Sequence, residues 1–172
     1  MSSLTLDLLG KKVELDAEAK YYPLLDYWVK LERDKQNVIF GLTPTGNIKE
    51  GGYRSLEFVV EEGEEISRGD TIAVSVTAKV KYLEAMSSGK ILALNKALAE
   101  DIKSLEQKKL SDCWLAIITT SNLEDLDSIL VDVKEYIGKL NEFAQTSPPP
   151  GAKGGSPTCK SVYSSIKLQK ES

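Results

Sequence analysis

The sequence predicts a mainly β domain of the α+β class, in which short strands form a small barrel or sandwich with helices at its flanks. Three observations favour this class. Between Tyr27 and Ile118, short apolar runs alternate with Gly, Asn and Asp. Residues 121–140 instead have the apolar spacing of a helix. The chain has 172 residues, 41% of them hydrophobic, which is enough for one modest core.

The strands follow from apolar runs bounded by turn residues. Trp28–Leu31 and Val38–Leu42 flank the polar stretch Arg33–Asn37, which predicts a β-hairpin. Helical turns are expected near residues 48–52 and 96–105. Further strands are expected at Leu56–Val60, Thr71–Val76, Val80–Ala85, Ile91–Leu94 and Trp114–Ile118.

The clearest helix is predicted after Ser121. Glu124 follows it by three residues, the spacing of a capping box. Apolar residues then recur at helical intervals from Leu123 to Leu140, and the intervening positions are charged. We therefore expect one continuous helix that packs on the body of the domain.

The chain divides into a lead-in at residues 1–19, a domain at 20–143 and a tail at 144–172. The tail holds four of the six prolines, and its Pro, Gly and Ser content predicts a flexible linker. A short apolar terminus follows, with Val162, Tyr163, Ile166 and Leu168. Four lysines against Glu171 give residues 151–172 a charge of +3, which leaves −7 for residues 1–150. This terminus is either solvated or a peptide that binds a partner.

Composition excludes several functions. The chain has no histidine, so the usual catalytic triads and His-ligated zinc sites are absent. Cys113 is expected in the core and Cys159 in the tail. Two cysteines are too few for a disulfide framework or a metal site. The acidic stretch Glu61–Glu65 has the pattern of a solvated turn. A net charge of −4, no membrane-length apolar run and no secretory signal predict a cytoplasmic protein that binds neither nucleic acid nor membrane. We also expect a monomer.

Several motifs occur in an order that resembles one known family. DYWVKLE precedes a hairpin, GLTPTG follows it, and EGEEISRGD, SGKI and a late WL come in turn. This order is similar to that of the glycine cleavage system H protein and its H-like relatives. The resemblance implies a barrel-sandwich hybrid of the lipoyl/biotinyl-carrier type. It also implies a carrier with covalent lipoate and no catalytic site of its own, which shuttles a lipoyl-bound intermediate between the partner enzymes of a lipoate-dependent complex.

The resemblance implies a modified lysine at a hairpin tip, where three registers are possible. Counting forward from Gly69–Asp70 gives Lys79, and counting back from Ser88–Gly89 gives Ala78. Matching SVTA with the family's SVKA gives Thr77. Lys79 is the candidate lipoyl-lysine. The glutamate that the family has three residues before its lysine is missing in every register.

Lys81 is the second candidate. Strand alternation predicts that Lys79 and Lys81 face solvent together and that Val80 faces the opposite way. Exposed lysines on a hairpin can also protect a sheet edge without any modification.

Two other functions remain open. A paralogue without lipoate would act as an adaptor or scaffold that docks through its tail. The PTG variation after GLT also allows an H-like lipoate-binding carrier in a sulfur-metabolism system of the heterodisulfide-reductase-like type.

Overall fold

The computed structural model describes residues 3–146, which contain eleven strands and four α-helices. The predicted tail, with Cys159, therefore lies outside the described residues apart from residues 144–146. The strands are Ser3–Leu8 (β1), Lys11–Asp16 (β2), Lys20–Tyr22 (β3), Tyr27–Glu32 (β4), Asn37–Leu42 (β5), Ser55–Phe58 (β6), Glu65–Ile66 (β7), Thr71–Val76 (β8), Val80–Glu84 (β9), Gly89–Leu94 (β10) and Trp114–Thr119 (β11). The helices are Pro44–Lys49 (α1), Lys96–Glu100 (α2), Leu123–Asp127 (α3) and Val133–Thr146 (α4), with 3-10 turns at Ile102–Gln107 and Leu110–Cys113.

Two antiparallel sheets pack against each other around the main core. One sheet has six strands in the order β3-β4-β5-β11-β10-β7, and the other has three in the order β6-β8-β9. Phe40 of the first sheet and Ile72 and Leu83 of the second are buried in one cluster. The sheets do not close into a barrel. The mainly β class with flanking helices, predicted from the sequence, is confirmed.

The predicted first hairpin is confirmed. β4 and β5 pair in one continuous register, with Val29 opposite Phe40, and the connection runs through residues 33–36. Gly41 is required where β5 meets β11, because a Cβ there would lie 2.6 Å from the Cα of Trp114. Cys113 is buried, as the sequence predicts, and Trp28 is buried as well.

The predicted helical turns differ in their bounds. α1 begins before residue 48 because Thr43 caps it: the backbone N–H of Gly46 donates to Thr43 Oγ1 at 3.0 Å. Pro44 occupies the first turn, where a missing N–H costs nothing. Residues 96–105 form α2 and part of a 3-10 turn rather than one helix. None of the helices in the described part of the chain has the length and apolar composition that a membrane crossing requires.

The lead-in at residues 1–19 contributes a hairpin to a second core. β1 pairs with β2 from Ser3 opposite Asp16 to Leu8 opposite Lys11. Leu8 and Leu15 are buried in a cluster with Leu140 of α4. The N-terminal hairpin and the C-terminal helix therefore cover each other on one side of the six-stranded sheet.

The prediction of one helix from residue 121 to 140 is wrong. Val131 is extended and forms a two-way backbone bridge with Tyr21, at N···O distances of 2.8 and 2.9 Å. That bridge interrupts the helix, and α4 restarts where Asp132 Oδ1 accepts the N–H of Glu135 at 2.9 Å. The predicted capping box is also wrong, since Glu124 pairs instead with Arg33 at 2.9 Å.

A buried hydrogen-bond cluster holds α4 to the domain. The hydroxyl of Tyr136 donates to Asp26 Oδ1 at 2.8 Å and lies 2.7 and 3.1 Å from the hydroxyls of Thr45 and Thr43. Lys49 Nζ neutralises the other carboxylate oxygen of Asp26 at 2.9 Å. Because these groups are buried and satisfied together, the loss of one leaves others without partners.

The first prediction concerns Tyr136→Phe. Removal of its hydroxyl takes a donor from the buried Asp26 carboxylate and should lower the free energy of unfolding by about 1–3 kcal/mol. Urea denaturation measures this change. Tyr82→Phe is the matched control, because Tyr82 is 62% exposed and should lose almost nothing. Equal stability of the two variants would contradict the structural role of the cluster.

The second prediction concerns alkaline pH. Burial, followed by the charge of Asp26, raises the pKa of Tyr136 well above its ordinary value of 10.0. Because the folded state favours the neutral phenol, this stability is fully present below pH 10 and is lost as the pH rises further. Burial raises the pKa values of Tyr21, Tyr27 and Tyr53 in the same direction.

Urea midpoints measured at increasing pH should therefore fall above pH 10. In Tyr136→Phe, the unfolding free energy obtained from these curves should fall less steeply with pH. The difference should be about 1.4 kcal/mol per pH unit, which is the contribution of one proton. Parallel profiles for the two proteins would show that Tyr136 ionises without opposing the fold.

Candidate functional site

The β8–β9 hairpin contains all the sequence-predicted site residues. Val76 lies opposite Val80, so the three residues Thr77, Ala78 and Lys79 form its loop. Ser75, the residue before Val76, is fully buried. Antiparallel pairing and side-chain alternation therefore assign each residue near the tip to the interior, to the solvent side of the sheet or to the loop.

Thr77 lies inside the loop. Its side chain is only 1% exposed, and its backbone N–H donates to the carbonyl of Lys79 at 2.7 Å. Thr77 Oγ1 lies 3.2 Å from the N–H of Lys79, which donates to it, and 3.1 Å from the carbonyl of Lys79. Thr77 thus fastens the backbone of Lys79 from within and offers no exposed attachment point.

Ala78 and Lys79 are the exposed residues of the loop. Ala78 ends in a methyl group and has no atom for covalent attachment. Lys79 has a primary amine, and no salt bridge involves it among residues 3–146. An exposed side chain on a backbone that Thr77 fastens leaves the Lys79 amine accessible for covalent attachment.

Lys81 is engaged elsewhere. Its Nζ lies 2.9 Å from Glu50 Oε2 at the end of α1, and its side chain is 19% exposed. Lys81 shares its side of β9 with the buried Leu83. The expectation that Lys79 and Lys81 face solvent together, with Val80 turned away, is wrong: Val80 is 55% exposed, and Lys79 belongs to the loop.

These residues fit a covalent lipoyl group by the chemistry that attachment needs. An amide bond to lipoate requires an accessible amine, which Lys79 has. The expected carboxylate three residues earlier is replaced by Val76, which is 39% exposed. The neighbourhood of Lys79 is therefore apolar, because Val80 lies opposite Val76 on the solvent side of the same sheet.

The other polar clusters have structural roles. Glu64 accepts the N–H of Glu61 at 2.9 Å, and Glu62 accepts the N–H of Leu94 at 3.1 Å, so the acidic turn binds its own backbone and β10. Burial raises the pKa of Cys113 to about 11, which keeps it a thiol at neutral pH. Within residues 3–146, no group of acidic or cysteine side chains is arranged to hold a metal.

Sequence reasoning missed two features of this site. The buried hydroxyl of Thr77 was not identifiable, because its role depends on the loop's fold. The second feature is that Val76, Val80 and Tyr82 face solvent together. The alternation V-S-V in β8 and V-K-Y in β9 indicates that they share one side of the sheet. That pattern gives the spacing but not which side faces the core.

Comparison with known proteins relates the chain to one protein family. The family model described as "Glycine cleavage H-protein" matches residues 20–143. The chain is 28% identical over 116 residues to the glycine cleavage system H protein of Shewanella loihica (strain ATCC BAA-1088 / PV-4), covering 67% of this chain and 88% of that relative. It is 37% identical over 71 residues to that of Synechococcus sp. (strain JA-3-3Ab), covering 41% of this chain. The chain spans 55% of that second relative, about half its length.

A solved structure has the same fold. The crystal structure of a glycine cleavage system H protein from Mycobacterium marinum superposes with a TM-score of 0.60 at 20% identity. The match covers 74% of this chain and 99% of that one. The barrel-sandwich hybrid expected from the sequence is thereby confirmed.

The third prediction tests the role of Thr77. Thr77→Val keeps the shape of the side chain but removes the hydroxyl that binds both backbone groups of Lys79. We expect faster hydrogen exchange at the Lys79 amide and a loss of about 1 kcal/mol in unfolding free energy. Amide exchange by NMR and urea denaturation measure the two effects. Thr77→Ser keeps the hydroxyl and is the control; similar exchange in both variants would contradict the proposed fastening.

Proposed function

We propose that this chain holds a lipoyl group on Lys79 and serves the partner enzymes of a lipoate-dependent system. The chain belongs to the glycine cleavage H-protein family, whose model matches residues 20–143. Proteins of this family are lipoyl carriers without catalytic activity of their own. The observation that carries the proposal is the exposed amine of Lys79 on a loop whose backbone Thr77 fastens. Among the four candidate positions, only Lys79 combines a reactive nitrogen with access from solvent.

The residues around Lys79 have separable tasks in this proposal. Thr77 keeps the anchor point of the arm in one place, while the four-carbon stem of Lys79 lets its end move. Glu50 holds Lys81 aside, so that one amine rather than two is presented. When bound, lipoate supplies the dithiol–disulfide chemistry, and the protein needs no histidine for that.

The acidic charge of the domain also fits transient docking. Residues 1–150 carry −7, and complementary charge on a partner speeds encounter more than it strengthens the complex. A carrier must release one partner before it meets the next, so fast and weak association is suitable. We therefore expect the partner enzymes to present basic surfaces near their lipoyl entrances.

A second candidate function is an adaptor without lipoate. One observation favours it: Val76 replaces the glutamate that the family has near its modified lysine, so a ligase meets an altered tip. In this alternative, Lys79 remains a simple solvated lysine, and the protein acts through its surface alone.

The fourth prediction separates these candidates. Full-length protein incubated with a lipoate ligase, ATP and lipoate should gain one lipoyl group, seen by intact-mass spectrometry and located on Lys79 by peptide mapping. Lys79→Arg should lose the adduct because the guanidinium is not acylated. Lys81→Arg is the matched control and should keep it, since Glu50 withholds that amine.

An H protein that the same ligase modifies serves as the positive control. If that control is modified and this chain is not, the carrier proposal fails and the adaptor is favoured. If the adduct persists in Lys79→Arg, the assignment of the site is wrong.

A further inference from the structure

The three-stranded sheet has an apolar outer side. Val74 lies opposite Tyr82, and Val76 lies opposite Val80, which places all four on the side away from the core. Val59, which follows β6, is 54% exposed, and its N–H donates to Ile72 of β8 at 2.9 Å. We call this surface the outer face; it consists of Val59, Val74, Val76, Val80 and Tyr82.

Exposed apolar area is concentrated here. Of the seven large apolar side chains that are exposed within residues 3–146, four belong to the outer face. The remaining three, Leu4, Leu24 and Leu92, belong to β1, the connection after β3, and β10. A cluster of exposed apolar side chains on one sheet is typical of an interaction surface.

The outer face also has acidic neighbours. Glu57 lies directly opposite Val74, so its side chain shares this side of the sheet. Glu61 follows Val59 by two residues, whereas Glu62 in the same acidic turn bonds to β10. A matching occupant would therefore combine apolar side chains with positive charge.

We propose that the chain's own C-terminal segment, residues 162–170, packs on the outer face. This segment has the required chemistry: its apolar residues stand among Lys160, Lys167 and Lys170. Ile166 and Leu168 are two residues apart, so an extended backbone directs both to the same side. The charge of +3 on residues 151–172 complements the −7 of residues 1–150.

The connection is long enough. Residue 162 is sixteen residues beyond Thr146, where the described chain ends. An extended chain of that length reaches roughly 50 Å. A domain of this size has a radius of gyration of about 15 Å, so any side of it is within reach.

Attachment to the same chain favours this occupant over a separate one. A tethered segment has an effective concentration on the order of 1 mM, so even a weak contact is substantially occupied. A second copy or another protein must bind through the same small area without that advantage. The inference is independent of lipoylation, because it rests on the outer face and on the composition of the C-terminal segment.

The outer face borders the hairpin tip. Val76 and Val80 are the last paired residues before the loop, so a segment lying on them would lie next to the backbone of Lys79.

The test uses the full chain and its own cysteine. Cys113 is buried and its thiol pKa is raised to about 11, so a nitroxide reagent at neutral pH can be directed to Cys159, with mass spectrometry confirming a single label. The methyl NMR signals of Val76 and Val80 should lose most of their intensity to paramagnetic broadening, whereas those of Leu92 on β10 should not.

Variants of the segment identify the contact. Ile166→Asp combined with Leu168→Asp should restore the methyl intensities of the outer face. Ser165→Asp combined with Gln169→Asp is the matched control, because it changes the charge equally, spares the apolar side chains and should leave the broadening in place.

Three results would overturn the proposal. The first is uniform broadening over the domain. The second is restored intensity in the control variant, which would mean that charge alone, and not the apolar side chains, accounts for the contact. The third is broadening that also arises in a mixture of two kinds of chain, one with the spin label and the other isotope-enriched without it. That result would assign the outer face to a second copy. Failure of lipoylation at Lys79 would affect none of these readings.

Discussion

The pairing of Val76 with Val80 is the constraint on which the functional part of this structure depends. Because side chains alternate along a strand, that one register buries Ser75, turns Val80 outward and leaves residues 77–79 as the loop. A shift by one residue would move Lys81 from Glu50 to the outer face and Tyr82 into the core. The register is held by buried neighbours on the inner side, chiefly Ile72 and Leu83. Packing of the sandwich core therefore decides which amine the protein presents.

A second core, formed mainly by the N-terminal hairpin and α4, packs on the six-stranded sheet. The family match begins at residue 20, yet Leu8 and Leu15 precede it and are fully buried against the six-stranded sheet and α4. Tyr21 stacks on Tyr136 with ring centroids 4.7 Å apart, so β3 and α4 share one aromatic contact. The Tyr136 hydroxyl then joins α4 to Asp26. The N-terminal hairpin and α4 thus complete a surface that the matched strands alone would leave apolar.

Sequence patterns predicted the strands well because their signals are local. The hairpin at Trp28 follows from a polar turn between two apolar runs, and no distant residue is needed to identify it. The helix after Ser121 was mispredicted because Tyr21, about one hundred residues earlier, pairs with Val131. Alternation correctly separated Val80 from Lys81, but it could not tell which of them faces the core. That choice depends on burial across the sandwich, as does the internal position of Thr77.

The same substitution links the candidate site with the outer face. Where the family resemblance leads one to expect a glutamate, this chain has Val76, and that change has two physical effects. It removes a carboxylate beside Lys79, and it joins Val74 and Val80 into one apolar surface. A charged side chain at this position would have to be desolvated under any segment lying on the outer face, which is costly without a partner. Valine removes that cost. In the Lys79 register, the hairpin tip therefore has apolar area where the family resemblance places a charge. The proposed occupant, which is rich in lysine and aliphatic residues, matches that apolar area and the neighbouring Glu57.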